Sequence, residues 1–194
     1  MANKVKFGLK NVHYAVATID SDNKATYGSP VALKGAVNMS LDAEGDVAKF
    51  RADNMNYWIG QSNNGYSGDL ELALIPDSFK KDVLGYKVDG DGALYECKDA
   101  PTVYFALLFQ FEGDDKATKH VLYKCSASRP QIAGKTTEET LEPETETITI
   151  TADAITVAAV NEDVVKASSK YGDAAYANWF SAVHQPTATP VVTT

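Results

Sequence analysis

The sequence has little cysteine, little histidine and no long apolar run. Its two cysteines, Cys97 and Cys125, are too few for a disulfide framework, and its three histidines lack the spacing of metal ligands. No stretch approaches the about 20 apolar residues of a membrane-spanning helix, and MANKVKFGLK lacks the apolar core of a secretory signal. We therefore expect no membrane association, no metal, and a buried Cys125 thiol in a reducing cytosol.

Positive charge is also scarce. Eighteen Lys and Arg stand against 26 Asp and Glu, for a net charge of −8. Surfaces that grip nucleic acid depend on clustered cations, so this balance argues against a DNA- or RNA-binding protein. Solubility alone is the simpler interpretation of the acidic balance.

Apolar and polar residues alternate in several stretches, which is the period of a half-buried strand. In TETITITADA (145–154), the threonines lie on one side and Ile148, Ile150 and Ala152 on the other. VALKGAVNMSLD (31–42) and GDLELALIP (68–76) alternate in the same way, whereas TVYFALLFQF (102–111) is apolar on both sides. The last pattern predicts a central strand that is covered on both faces.

Two helices are predicted. The first begins near Pro76 and stops at Gly85. The second lies within residues 172–186, between Asp173 as N-cap and Pro186 as terminator. Its i, i+3, i+4, i+7 stripe predicts a core-facing side, with a cofactor-binding stripe as the alternative; the stripe consists of Tyr176, Trp179, Phe180 and Val183.

These elements predict one mostly β domain over residues 1–184, with antiparallel strands and one or two short accessory helices. We call residues 42–66 and 127–144 excursions, because they are long polar segments between predicted strands, and we interpret both as loops. Residues 185–194 are predicted to form a flexible tail or arm.

No catalytic constellation is present in the sequence. GYSGD (65–69) nearly matches a nucleophile elbow, but Asp69 replaces the second glycine and a strand follows. DGDG (89–92) begins like a calcium loop, but Ala93 and Glu96 do not continue the ligand spacing. We therefore expect no enzyme and no cofactor. Two classes remain: a β-sandwich ligand-binding module, such as a carbohydrate-recognition domain, and a structural, self-assembling protein.

Four stretches carry a family resemblance: KFGLKNVHYA, GYSGDLELALIPDSFKKDVLGY, FALLFQFEGDDKATKHVLYKCSASRP and YANWFSAVHQP. As a set, in this order over nearly the whole chain, they resemble the major tail protein family of long-tailed, non-contractile phages (siphophages) of Gram-positive bacteria. The resemblance implies a tail-tube β-sandwich or barrel that assembles into hexameric rings, which stack into a tube.

The resemblance also implies where such a protein is assembled and which partners it has. It would be assembled in the bacterial host cytoplasm and act in the virion. Its partners would be further copies of itself and the tape-measure, tail-terminator and distal tail proteins. DNA would pass through the lumen during ejection without specific binding. The family has no catalytic or cofactor-binding residues to carry over.

Polar faces of the predicted strands are the candidates for the lumen, because a wall of hydroxyls and carboxylates offers DNA no cation to bind. A solvent-facing side of an ordinary sheet is the alternative. The proposed lumen residues are Asn38, Ser40, Asp42, Glu71, Thr147, Thr149 and Thr151.

The excursion at 42–66 carries more apolar bulk than a solvated loop would. In the family that the chain resembles, a long loop from the inner sheet reaches the adjacent ring. We assign that role to a set rich in interface residue types, namely Phe50, Arg51, Met55, Tyr57 and Trp58. Folding back onto the chain's own core is the alternative.

Overall fold

The computed structural model describes residues 4–136 and 143–188. Within these ranges the chain forms fifteen strands and one helix. The strands are β1 (Lys4–Ile19), β2 (Ala25–Tyr27), β3 (Val31–Ala32), β4 (Ala36–Ala43), β5 (Val47–Ala52), β6 (Met55–Gln61), β7 (Tyr66–Leu72), β8 (Lys87–Val88), β9 (Leu94–Tyr95), β10 (Tyr104–Asp114), β11 (Lys119–Ala127), β12 (Glu146–Asp153), β13 (Ile155–Val157), β14 (Glu162–Val164) and β15 (Lys166–Ser169). The helix is α1 (Asp77–Asp82).

Nine of these strands form one antiparallel sheet. Its main path runs in the order β2-β1-β10-β11-β12-β7-β4, with β3 paired to β1 and β15 paired to β11. The remaining strands form three two-stranded ribbons, β5-β6, β8-β9 and β13-β14. The predicted fold class, mostly antiparallel β with short helical structure, is confirmed.

Strand β10 separates two hydrophobic cores. Phe105, Leu107 and Phe109 point into the larger core, while Ala106 and Leu108 point into the smaller one. Since successive strand residues face opposite sides, a strand buried on both faces must be apolar throughout. The predicted central strand is confirmed.

Helix α1 closes one side of the larger core. It starts after Pro76, the N-cap residue, which has a φ of −63° and an extended ψ of 144°, and Gly85 follows its end at a φ of +74°. Phe79 is buried, and its ring lies edge-to-face on Tyr14 at 5.1 Å and on Phe105 at 5.6 Å. This helix was predicted from its Pro start and Gly stop.

The predicted second helix is wrong. Residues 171–182 form consecutive turns, in which N–H groups close i→i+3 bonds such as Tyr176 to Asp173 and Ser181 to Asn178. Tertiary contacts compete for the groups that a helix would use, since Lys119 Nζ donates to the Tyr176 carbonyl at 2.8 Å. In a short segment such contacts can outweigh the intrinsic helix propensity of its alanines, since isolated helices of this length are marginal.

The alternating stretch at 31–42 is interrupted. Gly35 adopts a φ of +88°, which separates β3 from β4. A register shift follows between Ala36 and Asn38. Val37 is consequently exposed, although its alternation placed it with the core residues Met39 and Leu41.

The predicted tail at 185–194 lies partly outside the described residues, as does the excursion at 127–144. Gln185, the first residue of that tail, is half-buried, and its amide donates to the Ala25 carbonyl at 2.8 Å.

The two cysteines should differ in reactivity. Cys125 is fully buried, and burial raises the pKa of its thiol to about 12, whereas Cys97 is partly exposed. Because the thiolate is the reactive form, iodoacetamide at pH 8 should label only Cys97 in the folded protein and both cysteines in denaturant. Intact-mass spectrometry with peptide mapping checks this, and rapid native labelling of Cys125 would contradict it.

Candidate functional site

One face of the β4-β7-β12 part of the sheet is polar, and its side chains are exposed or half-buried among the residues that the structure describes. Strand pairing places its side chains in three rows that cross the three strands. The rows are Asn38–Glu71–Thr147, Ser40–Asp69–Thr149 and Asp42–Ser67–Thr151. All seven residues that we proposed for the lumen lie on this face, which we call the polar face.

The polar face is organised by hydrogen bonds between neighbouring strands. Thr149 Oγ1 donates to the carboxylate of Asp69 at 2.8 Å, and Thr145 Oγ1 donates to Glu71 at 2.5 Å. Asp69 is exposed and Glu71 is half-buried. The carboxylates of Asp42, Asp69 and Glu71 therefore give this face a negative charge.

Ser67 and Asp69 belong to the polar face but were missing from the sequence prediction. Ser67, Asp69 and Glu71 are spaced two residues apart, so they face the same side of β7. Ser67 and Asp69 both lie in the stretch GYSGDLELALIPDSFKKDVLGY. Alternation alone could have found them. Ser126 of β11 pairs with Thr151 and extends the third row to a fourth strand, which required knowledge of the strand order.

The opposite face of the same strands packs into the larger core. Leu70, Leu72, Ile148, Ile150 and Ala152 are fully buried there. A slip of one residue in any of these strands would exchange the two faces, so burial of this apolar set determines which side chains form the polar face.

The excursion at 42–66 is a β-hairpin, so its interpretation as a loop is wrong. Backbone pairing continues beyond β4 and β7, from Glu44 N–H to the Gly65 carbonyl at 2.9 Å and from Ser62 N–H to the Asp46 carbonyl at 3.0 Å. Strands β5 and β6 then pair up to the turn at Asp53 and Asn54. We call residues 46–62 the hairpin.

Two local features shape the hairpin. Asp53 and Asn54 have φ angles of +49° and +59°, as in a two-residue turn that needs a left-handed conformation at both positions. The Trp58 ring covers Gly60, where a Cβ would come within 2.1 Å of the ring. Trp58 is also paired with Phe50 across the two strands.

The hairpin exposes apolar side chains to an unusual degree. Tyr57 is 72% exposed and Trp58 is 56% exposed. Phe50, Met55, Val47 and Ile59 are exposed to a similar extent, and so is Arg51. None of them joins either core. The alternative that these residues fold back onto their own subunit is therefore wrong for this chain.

The C-terminal turns cover the smaller core at the other side of the sheet. Trp179 is 1% exposed, and its indole N–H donates to the His120 carbonyl at 3.2 Å. Tyr176, Phe180 and Val183 are partly buried. Phe180 stacks on His13 with a ring separation of 4.8 Å. The predicted stripe thus packs on the protein, but through turns instead of a helix.

Within residues 4–136 and 143–188, no group of three or more His, Cys, Asp or Glu side chains is arranged to hold a metal ion. In the same part of the chain, no helix has the length and apolarity needed to cross a membrane. The polar face and the exposed hairpin are two candidate functional surfaces.

No protein-family model matches the sequence, and no curated protein is significantly similar to it. Among solved structures, the chain is similar to a chain of the anti-feeding prophage baseplate, determined by cryo-electron microscopy with sixfold symmetry. The two share 12% sequence identity with a TM-score of 0.46, over 87% of this chain and 97% of that chain.

Proposed function

We propose that this protein is a structural virion protein, the major subunit of a siphophage tail tube. Six copies form a ring, and rings stack into a tube that encloses the channel for DNA. The role needs no catalysis and no cofactor. The resemblance of the four sequence stretches supports this assignment, and the polar face is the observation that carries it.

The polar face suits the wall of a DNA channel. Its exposed side chains are hydroxyls, amides and carboxylates, and its charge repels phosphate. It spans four strands per subunit when Ser126 of β11 is included. Six subunits would then supply about two dozen strands, more than the 16–18 of porins that already enclose aqueous channels.

Strand β4 supports assembly into a ring. It pairs with β7 on one side and ends the described sheet on the other. Open strand edges favour pairing with another chain. Pairing of β4 with a neighbouring subunit would extend the polar face from one subunit to the next and close the sheet into a barrel.

Negative-stain electron microscopy of the purified protein at high concentration tests the proposal. Rings or hollow tubes are the expected result. Monodisperse particles of single-chain size at every concentration would contradict it and favour the ligand-binding module.

The charge of the polar face should affect DNA passage. In virions, Asp69→Lys places a cation in the middle row of each subunit and should slow DNA ejection, most strongly at low salt. Asp69→Asn is the matched control, because it removes the charge but can still accept the Thr149 hydrogen bond. Ejection at the wild-type rate from Asp69→Lys tubes at low salt would contradict a lumenal position for Asp69.

A further inference from the structure

A lysine lies one row beyond the polar face. The third row of that face includes Thr151 of β12 and Ser126 of β11, and in the next row Asp153 pairs with Lys124. Residues two apart on a strand face the same side of its sheet, so Lys124 and Asp153 lie on the side of the polar face. We call them the rim pair. The three rows of the polar face contain no cation, so the rim pair brings a positive charge to their border.

The ammonium group of Lys124 is enclosed by its partners. Lys124 Nζ donates to Asn23 Oδ1 at 2.9 Å and lies 3.6 Å from Asp153 Oδ2. The Tyr104 ring lies close by, with its centroid 5.4 Å from Nζ. The Lys124 side chain is 16% exposed, whereas that of Asp153 is 63% exposed. The rim pair therefore presents its carboxylate to the outside and keeps its ammonium covered.

The turn between β1 and β2 fixes Asn23 for this contact. Asn23 has a φ of +58°, a left-handed conformation that Asn tolerates. Its Nδ2 donates to the Ala154 carbonyl at 3.1 Å, and its own carbonyl accepts the Thr156 N–H at 2.9 Å. Because both the side-chain amide and the backbone are held, Oδ1 is already in place to accept from Lys124.

The other charged groups around the rim pair are either bonded or negative. On the turn that carries Asn23, Lys24 pairs with Asp22 at 2.9 Å, and the Asp20 carboxylate accepts backbone N–H groups of both. Lys166 donates to the hydroxyl of the first residue of β7. Glu44, just beyond β4, is exposed. The charge of this border therefore depends on how Lys124 is held.

We propose that Asn23 and Asp153 hold the Lys124 ammonium back from DNA in the channel, so that this border offers phosphate no free cation. The inference rests on the proposed function and adds the residues that keep the wall from binding its cargo. A released Lys124 would extend into the channel, because an unpaired charge in an enclosed position is costly and its four-carbon stem is flexible. Every subunit of a ring would then offer a cation to the DNA.

Two substitutions release Lys124. Asp153→Asn removes the charge but keeps the side-chain oxygen that accepts the Ala154 N–H at 2.9 Å. Asn23→Gly removes Oδ1 and suits the φ of +58°. Asp153→Asn is also studied alone, because Asn23→Gly additionally removes the bond to the Ala154 carbonyl. Native circular dichroism is required of both variants.

Acetylation of Lys124 measures its release in the subunit. With limiting N-hydroxysuccinimide acetate, the double variant should be labelled at Lys124 about tenfold faster than the wild type, the factor that loss of a charge-assisted hydrogen bond produces. Asp153→Asn alone should give a smaller increase. Peptide mapping by mass spectrometry gives the rates. A wild-type rate at Lys124 in the folded double variant would overturn the proposal.

DNA ejection measures the effect in virions. Both release variants should eject DNA more slowly at low salt, the double variant by about twofold or more, and the difference should vanish at high salt. Adding Lys124→Gln to either variant should restore the wild-type rate, because no cation is then left to bind phosphate. Glu112→Gln is the matched control: it removes the carboxylate of the exposed Lys10–Glu112 pair, which joins β1 and β10 outside the rows, and should leave ejection unchanged.

The outcomes separate this inference from the proposed function. Wild-type ejection from the release variants, with slow ejection from Asp69→Lys, would overturn the role of Lys124 and leave the channel intact. Wild-type ejection from the release variants and from Asp69→Lys would overturn both. Slow ejection that Lys124→Gln does not relieve would show a merely structural role for the rim pair and would also overturn the inference.

Discussion

Replacing the hairpin, residues 46–62, with a short Gly-Ser turn should abolish tube elongation and leave the subunit folded. No residue of this segment belongs to either core, so its removal costs the fold little buried area. The pair between Glu44 and Gly65 remains to close β4 onto β7. Rings, or monomers with native circular dichroism, should therefore accumulate at concentrations where the parent protein forms tubes.

The control for this experiment shortens a different hairpin. Replacing the turn at residues 89–92, between β8 and β9, with Gly-Ser of the same length should leave elongation unchanged. Long tubes from the protein without residues 46–62 would show that ring stacking depends on another surface, and the assigned role of the hairpin would then be wrong.

Trp179→Ala should greatly reduce the yield of soluble protein in any oligomeric state. Trp179 is buried in the smaller core, and its indole stacks on His184 at 5.4 Å. Loss of a buried aromatic side chain costs about 3–5 kcal/mol, which is a large part of the stability of a single domain. The measurements are soluble yield and the midpoint of urea unfolding.

Tyr171→Ala is the matched control, because it removes an aromatic ring from the same C-terminal segment at an exposed position. Its effect on stability should stay within about 0.5 kcal/mol. Soluble, fully folded monomer from Trp179→Ala would show that this side chain stabilises an interface between subunits more than the core of one.

Strands that alternate cleanly, or are apolar throughout, could be predicted from the sequence. In β12 each buried Ile lies between exposed Thr residues, and in β10 both faces are covered. Burial of one face forces such patterns, because the side-chain period of a strand is two. The composition of the polar face followed from the same alternation.

The hairpin could not be predicted by alternation. Its large side chains are exposed on both faces of β5-β6, so burial within one chain does not distinguish the two faces; they are Phe50, Tyr57, Trp58 and Ile59. The turn at Asp53 and Asn54 was the available signal, since Asp and Asn tolerate left-handed conformations. Its significance was missed because the flanking residues show no period of two.

Long-range contacts explain the other differences. Residues 172–186 carry a helical stripe, but hydrogen bonds from Lys119 and Trp179 connect this segment to β11 and its surroundings instead. The cross-strand rows of the polar face depend on the order β12-β7-β4, which joins strands far apart in the chain. Neither feature is encoded in a local pattern.

The central claim is that the polar face lines a channel, and a cryo-electron microscopy map of the assembled protein tests it most directly. We expect a hollow tube of stacked sixfold rings, with Ser40, Asp69 and Thr149 facing the lumen in each subunit. A map in which these side chains lie on the outer surface of the assembly, or in which the lumen is lined by the C-terminal turns, would contradict the account.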